Sequence, residues 1–180
     1  MRKKISLVEE RKIYQNEFYL VFDDRVRFPS GKEGTYFRVR NADNPLGAVI
    51  IPRLPDGRFV LLENYRYAAG KTMLEFPRGL GDVNESSAEI AKRELLEETG
   101  FGAATWARLG QFMPNGAIFE EQVEVWLADL NCEQGDIEQP DEGAIALHKY
   151  SSAQVRQLVA DGKLTDGFTL SALALLWMKV

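Results

Sequence analysis

Cysteine and histidine are almost missing from this chain. Cys132 is the only cysteine in 180 residues, so no intrachain disulfide can form, and a reducing cytoplasm fits. His148 is the only histidine, which excludes a histidine-rich zinc site and makes a Ser/His/Asp triad a poor reading. No apolar run approaches the roughly 20 residues that span a bilayer as a helix. The opening MRKKISLVEERK is too charged for a signal peptide. Positive charge is also scarce: 22 Lys and Arg stand against 27 Asp and Glu, a net charge of −5. No basic stripe is available to grip a nucleic-acid backbone. The expectation is a cytoplasmic protein with neither nucleic acid nor membrane as a partner. An anionic substrate would have to be received by metal ions and a few placed arginines.

What remains is the composition of a globular domain, 45% hydrophobic and 27% charged, large enough to bury a proper core. Residues 1–45 read as short strands and tight turns, with a turn at Pro29-Ser30-Gly31. GAVIIPR and RFVLLENY, separated by Pro55-Asp56-Gly57, read as a hairpin. MLEFPRG is extended, because Pro77 disfavours helix at Phe76. WARLGQFM, EEQVEVWLADL and IALHKY read as later strands, with Val123, Val125 and Leu127 facing inward. SSAQVRQLVADG and TLSALALLWMKV carry helical patterns. These elements predict an α/β chain, a sheet covered by helices on both faces. The expected division is an N-terminal β-rich segment, residues 1–45, and a main domain, residues 46–180.

The most informative stretch is Gly79–Phe101, GLGDVNESSAEIAKRELLEETGF. Its second half predicts a helix from Ser87 to Thr99, capped by Ser86 or Ser87 and stopped by Gly100. Glu94 lies three residues from Glu97 and four from Glu98, so the three carboxylates crowd one face. Arg93 can pair with Glu97 at i, i+4 but cannot neutralise the whole cluster. A hard divalent cation with oxygen ligands, Mg²⁺ or Mn²⁺, is the simplest missing partner. Gly79 would let the backbone turn sharply and approach a metal or phosphate closely.

With Gly79, Glu85, Arg93-Glu94, Glu97-Glu98 and Gly100-Phe101 at fixed spacing over 23 residues, the stretch resembles the Nudix box. The resemblance implies a Nudix α/β/α sandwich with a mixed sheet, plus a small N-terminal antiparallel sheet. It also implies hydrolysis of a nucleoside diphosphate linked to another moiety, with Mg²⁺ as cofactor and Mn²⁺ as a substitute. By the same resemblance Glu94 and Glu98 are the principal metal ligands and Glu97 a further one. Glu85 supports the site, Arg93 orients the box carboxylates, and a backbone carbonyl at Arg78 or Gly79 completes the set.

Outside the box, DDRVRFPSGKEGTYFRV, ENYRYAAG, LEFPRGLGD and DGKLTDGFTLSALALL resemble the ADP-ribose pyrophosphatase and nucleotide-sugar branch. That branch implies a homodimer built through the N-terminal sheet. Its implied substrate is ADP-ribose, cleaved to AMP and ribose 5-phosphate. Another nucleoside diphosphate sugar such as GDP-mannose is the enzymatic alternative, and a non-catalytic ADP-ribose sensor is the alternative of another class. Three positions depart from the pattern. Asn64 stands for Gln before Tyr65-Arg66, Arg78 for a common Ala, and Pro114 follows Phe101 more closely than usual.

Arg66 is the first substrate-binding candidate, since a guanidinium grips phosphate oxygens in two places; the other reading ties it to a carboxylate at a strand edge. Arg78 is the second candidate, and Glu75 could assist. For the base that activates water, relatives point to the acidic loop holding Glu138, Asp141 and Glu142. Glu142 is chosen, with Glu120 and Glu121 as alternatives. Tyr14, Phe18, Tyr19, Phe28 and Tyr36 are read as packing residues rather than base stackers.

Overall fold

The computed structural model describes residues 4–42, 46–82, 84–131 and 144–179. Two sheets form. The first is antiparallel and contains β1 (Ser6–Glu9), β2 (Lys12–Gln15), β3 (Tyr19–Arg27) and β4 (Glu33–Asn41). One edge of β3 pairs with β4 over its whole length, from Tyr19↔Asn41 to Arg27↔Glu33. Its other edge is shared end to end by β2 and β1.

The second sheet is mixed and has seven strands: β5 (Gly47–Arg53), β6 (Phe59–Arg66), β7 (Lys71–Glu75), β8 (Arg78–Leu80), β9 (Ala103–Phe112), β10 (Val123–Leu130) and β11 (Ala144–Tyr150). The Pro55-Asp56-Gly57 turn does join β5 to β6, with Leu54 N–H bonded to Arg58 O. Yet the two strands pair only at Arg53↔Phe59. Beyond that point they diverge, and the MLEFPRG stretch fills the opening as two short strands rather than one. β7 pairs with β6 and β8 with β5. Phe76-Pro77 makes the break, because Pro77 has no N–H to offer a ladder; its carbonyl instead accepts from Ile50 N–H at 2.9 Å. β10 runs parallel to β5 on the far side.

β5 shows why the sheet is covered twice. Successive side chains of a strand point to opposite faces. Ala48 and Ile50 meet Ile90, Ala91 and Leu95 of α1 (Ser87–Thr99). Val49 and Ile51 meet Val155 of α2 (Ser152–Ala160) and Leu173 of α3 (Gly167–Trp177) on the other face. Val123, Val125 and Leu127 of β10 are buried on this second face, as their alternation predicts.

The helix α1 follows its sequence closely. Ser86 accepts from Glu89 N–H, and Glu89 returns a carboxylate to Ser86 N–H, a reciprocal cap. Gly100 ends it in the left-handed conformation, φ 65°. Among the described residues no helix is long and apolar enough to cross a membrane.

Candidate active site

The site lies where β5 and β6 part and α1 returns over β8. Gly79, in the middle of β8, pairs with Ala48 of β5. A Cβ on Gly79 would stand 1.9 Å from Glu94 Oε1 and 2.1 Å from its Cδ. The glycine is therefore required for close approach: the Glu94 carboxylate occupies the space that any side chain at position 79 would take. Glu94 and Glu98 are both buried, at 7% and 6% exposure. One helical turn apart, they share the side of α1 that faces the start of the box. Glu98 Oε2 accepts the N–H of Arg78 at 2.9 Å.

Arg93 stitches the rest together. Its Nη1 donates to Glu94 Oε1 at 2.8 Å and to Glu97 Oε2 at 2.9 Å. Its Nε reaches Glu85 Oε1 at 3.3 Å, and Nη2 donates to Leu80 O at 3.0 Å. Glu85 also accepts from Asp82 N–H. The Arg93 hydrogen bond and the Asp82 amide hold the Glu85 carboxyl below its ordinary value. One guanidinium thus organises three box glutamates and the strand that precedes them.

Metal fit follows from the donor set. Among the described residues no three His, Cys, Asp or Glu side chains close on one point as a ready cage. The nearby donors are nevertheless all hard oxygens: Glu94, Glu97, Glu98 and the backbone carbonyls of Arg78 and Gly79. Burying two carboxylates costs free energy unless cations meet them, and the Gly79 cradle keeps room for one of them. The residues fit a hard divalent cation completed by substrate or water oxygens, and do not fit a soft one.

Arg66 is not a free surface arginine. Its Nε and Nη2 bind Glu75 Oε2 at 2.9 and 2.6 Å, and Glu75 is 1% exposed. Arg78 also reaches Glu75, at 3.4 Å, and lies 3.7 Å from Asp166. Its guanidinium stacks 4.1 Å from the centre of the Phe168 ring. The Arg78 Nε is buried without a hydrogen-bond partner among the described residues. Glu75 thus sits between the two candidate arginines.

Beside Arg78 and Gly79 opens a cavity of about 320 Å³, whose walls include Tyr19, Asn41, Phe119, Glu121 and Phe168. Tyr19 and Asn41 are a register pair of the N-terminal sheet, so that sheet supplies part of the wall. Tyr19 thus lines this cavity from the N-terminal sheet. Burial raises the Glu121 carboxyl above its ordinary range, with the charge of Arg78 partly opposing.

Asp166 and Phe168 gave no signal in the sequence beyond a helix start. Asp166 caps α3 through Thr169 N–H at 2.7 Å, and Thr169 Oγ1 in turn accepts from Phe76 N–H at 2.9 Å. That chain fixes α3 to the strand break and brings both residues beside Arg78. Glu142, Glu138 and Asp141 lie outside the described residues.

A family model for the NUDIX domain matches residues 43–166. The chain belongs to the Nudix family. Its Nudix box holds Gly79, Glu85, Arg93, Glu94, Glu97 and Glu98 in one cluster. Among similar proteins is the ADP compounds hydrolase NudE of Escherichia coli strain K12, 26% identical over 98% of this chain and 95% of that protein. The ADP-ribose pyrophosphatase of Mycobacterium tuberculosis is 29% identical over 91% of this chain and 79% of that protein. A crystal structure of an ADP compounds hydrolase superposes with a TM-score of 0.85 at 25% identity, covering 99% of this chain and 96% of that one.

Proposed function

We propose that this Nudix protein hydrolyses the pyrophosphate bond of an ADP-linked compound, ADP-ribose first, releasing AMP and ribose 5-phosphate. The observation that carries the reading is the seating of Glu94 against Gly79, with Glu98 one turn away and Arg93 clamping Glu85, Glu94 and Glu97. A solvated surface helix needs no such cradle. The relatives named for ADP-ribose and ADP compounds support the substrate class.

In this reading Glu94, Glu98 and Glu97, with a carbonyl of Arg78 or Gly79, hold Mg²⁺, or Mn²⁺ in its place. Bound there, the cation offsets pyrophosphate charge and makes water a better nucleophile. Arg93 keeps the glutamates aimed, and Glu85 anchors Arg93. Arg78 faces the cavity and binds phosphate oxygen; Arg66 assists at its edge and pairs with Glu75 beside it. Glu142 is the proposed proton acceptor for the attacking water.

We further infer a cytoplasmic homodimer. Leu7, Ile13, Tyr14, Phe18 and Phe37 of the N-terminal sheet and its turn are all exposed, an apolar set that a second copy would cover. The proposed division remains an N-terminal segment 1–45 with this role and a hydrolase domain 46–180.

A phosphate-release screen over ADP-ribose, nucleotide sugars including GDP-mannose, dinucleotides and triphosphates tests the activity. ADP-ribose should be among the best substrates, only when Mg²⁺ is present. No cleavage of any compound with Mg²⁺ would leave the sensor reading in its place. Gel filtration at twice 20.3 kDa supports the dimer, and a monomer removes it.

A further inference from the structure

The run joining β9 to β10 leaves the mixed sheet, touches the N-terminal sheet, and returns. Val39 of β4 donates its N–H to Ile118 O at 2.8 Å and accepts Glu120 N–H at 3.1 Å. Tyr36 donates its hydroxyl to Ala117 O at 3.0 Å. Residues 118–120 therefore run alongside β4, and neighbouring side chains of an extended run point to opposite sides. Glu120 turns towards the N-terminal sheet, where Arg38 Nη1 binds it. Glu121 turns into the wall of the cavity, beside Arg78 and Gly79.

Arg38 is well anchored for such a task. Its Nε donates to Asp24 at 2.5 Å and its Nη2 to Glu10 at 2.6 Å. Its guanidinium lies 3.9 Å over the Phe22 ring, and Asp24 is buried and also bound by Arg11 N–H. Glu121 is the reverse case: half-buried, with no hydrogen bond or ion pair among the described residues. Its Oε1 stands 3.5 Å from where a side chain on Gly47 would begin, one ladder step from the Ala48–Gly79 pair. A carboxylate taken part-way out of water without a hydrogen-bonding partner is costly. The Arg38 bond to Glu120 and the backbone bonds to Val39 fix the run next to it.

We propose that Arg38 is a positioning residue for the cavity: by binding Glu120 it holds the run so that Glu121 offers its carboxylate to hydroxyl groups of the bound substrate. The inference rests on the hydrolase reading above. Hydroxyls are the donors that a sugar-bearing substrate brings, and a carboxylate is an acceptor only. The N-terminal sheet thus reaches the cavity twice, through Tyr19 and Asn41 in its wall and through Arg38 by way of the run.

The variant to read first is Arg38→Lys, which keeps a cation beside Asp24 but cannot span three carboxylates with one planar fork. Glu120→Gln removes the charge from the same contact at an exposed residue. In steady-state hydrolysis of ADP-ribose with Mg²⁺, Glu121→Gln should raise KM about tenfold with kcat changed less, the mark of lost binding common to ground and transition states. Arg38→Lys and Glu120→Gln should raise KM severalfold in the same direction. The double variant Arg38→Lys/Glu121→Gln should be no worse than Glu121→Gln within about twofold, because both act through one carboxylate. Multiplied losses in the double variant, or normal KM in Arg38→Lys and Glu120→Gln, overturn the proposal. Hydrogen exchange at the residue 120 amide gives a readout free of substrate: Arg38→Lys and Glu120→Gln should each lose protection there. If the wild-type chain cleaves no ADP-linked compound, the hydrolase reading fails and the role given to Glu121 falls with it. Unchanged protection at Glu120 overturns the clamp whatever the substrate.

Discussion

Replacing Gly79 by Ala separates a metal-site role from a folding role, because the three atoms nearest the added methyl all belong to the Glu94 carboxylate. The new Cβ would lie 1.9 Å from Glu94 Oε1, against at least 3.4 Å for ordinary contact. The oxygen must retreat by about 1.5 Å, more than a Mg²⁺–oxygen bond of roughly 2.0–2.1 Å can absorb. The atom in the way is the end of a flexible side chain, so the backbone need not move, and Gly79 has no positive φ to strain. Alanine also lowers the entropy of the unfolded chain, by about 0.4–1 kcal/mol in favour of folding. The melting temperature should therefore stay within about 4 °C of wild type. Catalysis should fall steeply, since a misplacement of about 1 Å at a reacting centre costs on the order of 100-fold, or roughly 2.7 kcal/mol. The assay is kcat/KM for ADP-ribose across a Mg²⁺ titration, with thermal unfolding measured on the same preparation. Activity within twofold of wild type at the same Mg²⁺ half-saturation would refute the cradle argument. A collapse of the fold would refute the claim that only Glu94 is displaced.

Glu98→Gln should cut turnover at least a hundredfold on the order expected for losing a charged ligand, with unchanged circular dichroism; near-normal turnover would mean the metal site is assigned wrongly. Arg66→Ala should lower stability by about 2 kcal/mol, or roughly 4–8 °C in Tm, because buried Glu75 loses its main partner while Arg66 itself is a third exposed. Urea melts check it, and no change would mean that Arg78 alone satisfies Glu75. Asp24 supplies a pH test. Burial would raise its carboxyl, but Arg38 and the Arg11 amide together hold it below the ordinary aspartate value. Its contribution is then present above that value and lost as pH falls through the lower folded one. As pH falls through the acid range, Tm of Asp24→Asn should fall less steeply than that of wild type; equal slopes would contradict the assignment.

The parts of the molecule that are local in sequence were legible in it. The bounds of α1, its Ser86 cap and its Gly100 stop follow from residues within a few positions of each other. So does the crowding of Glu94, Glu97 and Glu98. The splitting of MLEFPRG into β7 and β8 could not be read so directly, because it depends on how far β5 and β6 diverge. The same holds for Arg66: a strand-edge arginine predicts some carboxylate partner, but only the folded sheet brings Glu75, paired in register with Leu62, within its reach and buries that carboxylate. Glu120 and Glu121 look alike in the sequence. Their different surroundings arise from the bridge between Val39 and the 118–120 run, about 80 residues apart in the chain. Asp166 and Phe168 reach Arg78 only because α3 is pinned to the strand break through Thr169. Long-range pairing, not residue type, chose these members of the site.

The central claim is that the box glutamates would hold a divalent cation that assists water in hydrolysing the pyrophosphate of ADP-ribose. The most direct measurement is the quantity of AMP and ribose 5-phosphate released from ADP-ribose by the purified chain, with Mg²⁺ and then with excess EDTA. Equal amounts of the two products with Mg²⁺, near-complete loss in EDTA and recovery on restoring Mg²⁺ are predicted. No AMP with Mg²⁺ present, or release that EDTA leaves untouched, would contradict the account.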